Sequence, residues 1–147
     1  MPTVNRTFTV QPDPTTVVGY LKDFSHAEAW DPGTESCRQT TPGAVAVGTQ
    51  WHNESKIAGV STELTYTLTT LRDDVVVFEG ENDSATTTDT ITVKPAADGG
   101  SEITYEAVIE AKGAAGKLGE PVLKLLFERI GTKTEHQMTE VLNGLVA

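Results

Sequence analysis

From Glu35 to about residue 112 this chain alternates apolar and polar residues in short segments, and one long apolar-striped stretch follows. That pattern constrains the fold more than any other feature. A strand that alternates buries one face and wets the other, so a sheet built from such strands needs a cover. Only the C-terminal stretch is long enough to supply it.

The strand candidates are separated by short turn signals. Thr3 to Val10 places Val4, Phe8 and Val10 on one side, with Arg6 interrupting. Glu35 to Thr41 ends at Pro42-Gly43. In Thr49 to Ile57, Trp51, Asn53, Ser55 and Ile57 share one face, and His52 falls on the other. Ser61 to Leu71 puts Leu64, Tyr66 and Leu68 together, and Val75 to Glu81 carries Phe78. Thr87 to Lys94 faces Ile91 with Val93. After the turn Ala97-Asp98-Gly99-Gly100, the residues Ile103, Tyr105, Ala107, Ile109 and Ala111 alternate again.

Two short helices are expected after the first strand. Asp13-Pro14 is an N-cap with proline at the first helical position. Ser25 and Glu28 have capping-box spacing for the second helix, which ends at the turn Trp30-Asp31-Pro32-Gly33. Pro121 to about Leu145 reads as the long helix, roughly 37 Å at 1.5 Å per residue. Its polar gap from Thr132 to Gln137 contains His136, and Gly131 marks a bend or a close backbone approach.

Composition narrows the function classes. The net charge is −10, from 21 acidic against 11 basic residues, with no Lys or Arg run. Such a surface repels phosphate backbones, so nucleic-acid binding is not expected. No apolar stretch nears the roughly 18 residues needed to span a bilayer, and no stable membrane insertion is expected. The N-terminus lacks the apolar core of a signal peptide, so the expected location is cytoplasmic. A single cysteine, Cys37, excludes an intramolecular disulfide and reads as a structural thiol. No two histidines have metal-ligand spacing, and no phosphate loop or nucleophile elbow is present, so no metal and no cofactor are expected.

The order of elements, with Val10 to Pro14, His26 to Gly33, Thr41-Pro42-Gly43, Val47 to Trp51 and the helical tail from Leu118, resembles the START-like or SRPBCC superfamily. The nearest branch is similar to the small bacterial polyketide cyclase/dehydrase and lipid-transport group. The resemblance spans residues 1–147 as one domain. It implies an α+β helix-grip fold, in which a curved antiparallel sheet of about seven strands wraps around the long helix.

In that fold the sheet and helix enclose a cavity. Alternation then assigns a lining of Trp51, Asn53, Tyr66, Phe78, Ile91, Tyr105, Ala107 and Ile109 from the sheet. Leu123, Phe127 and Ile130 join from the helix, and Trp30 closes one end. Each apolar member is equally at home as core. Asn53, Tyr66 and Tyr105 are more informative, because a buried polar group needs a partner. Asp89 shares parity with Ile91, but is expected near a strand end, solvated among threonines.

The leading expectation is a binding or transport protein for a small hydrophobic molecule or lipid. The alternative is a polyketide cyclase/dehydrase-type enzyme, with Tyr66, Asp89, Tyr105 and His26 as the candidate acids and bases. A third reading is an interaction module whose acidic outer surface docks a basic protein.

Overall fold

The structure, a computed structural model, describes residues 3–57, 60–112 and 120–146, with the side chains of 57, 60, 120–127, 129 and 146 outside the description. Strand β1 (Thr3–Val10) is followed by helix α1 (Pro14–Leu21), a single 3-10 turn (Phe24–His26) and the one-turn helix α2 (Ala27–Trp30). Six more strands come next: β2 (Thr34–Gln39), β3 (Gln50–Ile57), β4 (Val60–Arg72), β5 (Val75–Glu81), β6 (Ala85–Pro95) and β7 (Ser101–Ala111). Helix α3 (Glu120–Asn143) and a closing 3-10 turn complete the chain.

All seven strands form one antiparallel sheet in the order β1-β7-β6-β5-β4-β3-β2. Register shifts interrupt the ladder between Leu68 and Thr70 and between Thr34 and Ser36. Each such irregularity bends its strand and adds twist, which curves the sheet. The expected α+β helix-grip architecture is therefore present.

The local signals explain the entry to the sheet. The Asp13 side chain accepts a hydrogen bond from Thr16 N at 3.1 Å, and α1 buries Val17, Val18 and Leu21. The expected capping box at Ser25 does not form. Asp23 is the cap instead, accepting from Ser25 N at 3.0 Å and Ser25 Oγ at 2.7 Å. Glu28 is drawn away to accept from Cys37 N at 2.8 Å, so it ties α2 to β2.

Helix α3 lies along β1. A Cβ added to Gly131 would sit 2.5 Å from Val4 Cγ1, so only glycine permits this approach. Arg6, the residue that broke the alternation, points into the same contact. Its Nη2 donates to the Glu128 carbonyl at 3.0 Å and to Glu128 Oε2 at 2.9 Å. The polar gap of the helix is not wholly solvated either. Thr134 is fully buried and satisfies its hydroxyl on the Ile130 carbonyl at 2.8 Å. Among the described residues, no helix is long and apolar enough to cross a membrane.

Candidate functional site

Pairing places the interior residues in rows across the concave face. One row runs Trp51, Tyr66, Gly80, Thr87, Ile109; the next runs Leu68, Phe78, Asp89, Ala107, Val4. Ile91 and Tyr105 pair in the row beyond.

Asp89 is thus at the middle of the sheet, not at a solvated strand end. It is 7% exposed. Strand β6 begins at Ala85 and runs to Pro95, because the β-branched threonines around Asp89 extend it in both directions. The carboxyl bonds with Tyr105, and burial followed by the charge of Asp31 pushes it up to about 8. Burial and then Asp89 hold the Tyr66 and Tyr105 phenols well above their ordinary value.

Gly80 makes room for Tyr66. A Cβ there would lie 2.7 Å from two atoms of the Tyr66 ring. The ring covers the glycine, and Tyr66 Oη accepts from Thr87 Oγ1 at 3.2 Å. The tyrosine's own proton remains to be donated.

A second carboxyl, read in the sequence only as part of a turn, also faces this cluster. Asp31 follows α2 and keeps a partly accessible edge, yet its surroundings raise it, burial being the cause. It accepts from Thr34 Oγ1 at 2.5 Å. Thr34 Oγ1 in turn accepts from Asn53 Nδ2 at 3.0 Å, and Asn53 Oδ1 accepts from Ser55 Oγ at 2.5 Å. Asn53, expected as a ligand contact, is therefore already committed to a buried chain of polar groups. The spacing Asp31-x-x-Thr34 is the local signal for its first link.

Aromatic rings wall the cluster. Phe24 lies 4.3 Å from Tyr66 and 4.5 Å from Phe78, centroid to centroid, and meets Trp30 and Trp51 edge-on at 5.9 and 6.2 Å. Phe24 is absent from the lining that strand alternation assigns, because it comes from the 3-10 turn. Trp30 also meets Tyr105 edge-on at 6.1 Å. The two indoles differ: Trp51 Nε1 donates to Asp23 Oδ1 at 3.3 Å, whereas Trp30 Nε1 is buried without a partner among the described residues. Burial alone would raise the Asp23 carboxyl, but the two Ser25 bonds, His26 and the Trp51 bond together hold it below its usual range.

Other expected residues fall elsewhere. His26 stacks on Tyr20 at 4.1 Å, with Nδ1 2.7 Å from the Tyr20 carbonyl oxygen, so its ring is committed outside the cluster. Ile109 and Ile130 are half-buried. The side chains of Leu123 and Phe127 lie outside the described residues. Val4, Tyr105, Ala107, Ile130, Gly131 and Thr134 line a cavity of about 10 Å3 between sheet and helix. That is about the room one water molecule needs.

The outer face carries different chemistry. A hollow of about 500 Å3 there is lined by Thr65, Thr67, Glu79, Glu81 and their neighbours, all polar. Beside it the register gathers His52, Glu54 and Glu63, whose ligand atoms lie within 4.8 Å of one another. Spacing along the chain could not reveal this group, because Glu63 comes from the neighbouring strand. It is solvent-facing, and His52 Nε2 already meets Glu63 at 3.2 Å and Glu54 at 3.7 Å.

The family model for "Polyketide cyclase / dehydrase and lipid transport" matches residues 1–146. The chain belongs to this family. No curated protein matches the sequence. Among solved structures, the chain is similar to a START superfamily protein from Mycobacterium smegmatis, with a TM-score of 0.80 at 14% identity, covering 97% of this chain and 98% of that one. A protein from Thermus thermophilus gives a TM-score of 0.82 at 15% identity, covering 99% and 100%. A hypothetical protein from Helicobacter pylori gives 0.72 at 15% identity, covering 95% and 87%. These likenesses concern the fold. In this polyketide cyclase/dehydrase and lipid-transport family member, Asp89, Tyr66 and Tyr105 form the buried polar cluster of the concave face.

The one thiol is not part of that chemistry. Cys37 is 3% exposed, and burial pushes it up to about 12. A thiolate is the reactive form, so native protein at pH 8 should resist a soluble disulfide reagent, then titrate one thiol when unfolded in guanidinium. Rapid stoichiometric labelling of the native form would contradict this placement.

Proposed function

We propose that this protein binds a small, largely apolar molecule between the concave sheet face and α3. The observation that carries this reading is the polar cluster buried at the centre of the sheet. Asp89, Tyr105 and Tyr66 stand among aromatic rings, where an apolar core would be cheaper to fold. Apolar walls with a few convergent polar groups are what small-molecule sites have in common. The family and the fold support ligand binding in general terms.

Among the described residues the cavity between sheet and helix has room for about one water, and the side chains of residues 120–127 of α3 lie outside the description. The Arg6–Glu128 pair is half-exposed and holds that helix from one side. Exposed pairs contribute little, roughly 0–1 kcal/mol. Native mass spectrometry of freshly purified protein, and of protein incubated with lipid and small-molecule extracts, tests the reading. A bound apolar species of defined mass is expected. A mass that stays at the bare chain with every extract would end it.

One observation favours a second reading, an enzyme of the cyclase or dehydrase type. A carboxyl at about 8 is suited to give and take protons near neutral pH. Turnover of a poly-β-ketone that survives Asp89→Asn unchanged would remove that reading.

A further inference from the structure

The proposed site has a feature that selects among apolar ligands: among the described residues, the buried side-chain polar atom left without a partner is a donor. Trp30 Nε1 is a buried donor with no acceptor. Leaving such a group unpaired is unfavourable, and an acceptor on a ligand would relieve it. Tyr66 Oη is used as an acceptor by Thr87, which leaves its proton available. Asp89 is buried beside Tyr105, and Trp30 meets Tyr105 edge-on. These groups therefore stand in one neighbourhood.

Resting on the binding function proposed above, we infer that the ligand is a neutral apolar molecule carrying a carbonyl oxygen. That oxygen accepts hydrogen bonds from the Asp89 carboxyl and its neighbouring donors, and carboxylate or phosphate ligands are rejected.

The charges around the site argue the same way. Asp31 faces Asp89 from the end of α2, Tyr66 from β4 and Tyr105 from β7. Cys37 on β2 is neutral. Arg6 on β1 pairs across from Tyr105, but its guanidinium is engaged by Glu128 of α3. Among the described residues no cation is left to receive an anionic headgroup at this site. A fatty acid or phospholipid would bring a second negative charge toward Asp31. A ketone brings none, and satisfies the donors.

Asp89 also sets a pH limit. In its acid form it donates; once ionised it repels a carbonyl lone pair. The acid form persists up to about pH 8.

Three naphthalenes of matched shape test this by calorimetry: 2-acetylnaphthalene, 2-ethylnaphthalene and 2-naphthoate. At pH 6.5 the ketone is expected to bind about tenfold tighter than the hydrocarbon, the worth of one good hydrogen bond. The naphthoate should bind weakest. Between pH 6.5 and 9.5 the ketone preference should fall about tenfold in the native sequence, as the donor ionises. In Asp89→Asn it should stay flat, because the amide donates at every pH. Trp30→Phe should reduce the ratio of ketone to hydrocarbon affinity at pH 6.5, whatever it does to the two affinities together. Tightest binding of the naphthoate, or equal binding of ketone and hydrocarbon, overturns the inference and leaves the apolar site standing. Failure of all three to bind counts against the site itself.

Discussion

Asp89→Asn should raise the melting temperature of this protein by about 10 °C at pH 8 and change it little at pH 4, given about 2–4 °C per kcal/mol for a domain of this size. The direction is the reverse of the usual carboxylate. An unfolded Asp ionises near 3.9, while burial holds native Asp89 at about 8. Between those values the native state keeps a proton that the unfolded state has released. Stability therefore falls as pH rises from about 4 to about 8, and levels off above. A shift of about four units corresponds to roughly 5 kcal/mol at most, and relaxation of the interior brings the expected figure to about 3–5 kcal/mol. Asparagine has nearly the same shape and no charge to bury. Thermal melts followed by circular dichroism at pH 4, 6 and 8 measure the difference. A gain of the same size at every pH would mean that Asp89 is not protonated in the fold.

That expectation bears on function. A residue that destabilises the native state at neutral pH, where a neutral amide would not, is a mark of a working site rather than of core packing.

Phe24→Ala should destabilise the protein by about 3–5 kcal/mol, the usual loss for a buried phenylalanine. Phe24 is 1% exposed and touches four other rings, Trp30, Trp51, Tyr66 and Phe78. It comes from the 3-10 turn and projects across the concave face, so no strand residue can slide into its place. Urea unfolding should show the midpoint fall, and the near-ultraviolet signal of the two indoles should weaken even where the fold persists. A loss under about 1 kcal/mol would mean that the rings repack around the hole.

Much of the fold is legible in the sequence because period and turn chemistry are local. The strands, the Asp13 cap and the long helix all follow from neighbours within a few positions. Inward parity likewise assigns Trp51, Tyr66, Phe78 and Tyr105 to the concave face. What escapes such a reading is non-local. Asp89 reads as solvated when its strand is taken to begin at Thr87; only pairing with β5 and β7 extends β6 and centres it. Its parity with Ile91 and its β-branched flanks are the available signals. Asp31 reads as a turn residue, since nothing within its own segment shows that the turn faces inward. Ser25 and Glu28 have capping-box spacing, but Asp23 and the β2 backbone outcompete them for those bonds. The His52, Glu54 and Glu63 group depends on a register that no single segment encodes.

The strand order carries a consequence for how the chain reaches this state. From β2 to β7 every strand pairs with the next in sequence, so the meander can zip from hairpin to hairpin. Strand β1 alone must find a partner far along the chain: the Asn5 side chain bonds to Glu106, 101 residues away. Closing so long a loop is entropically expensive, and non-local pairings of this kind slow folding. During synthesis β1 emerges first and waits for β7, and α3 can dock on β1 only after that. The seam between β1 and α3 is thus the last to be sewn. It is also the seam that Arg6 and Glu128 bridge.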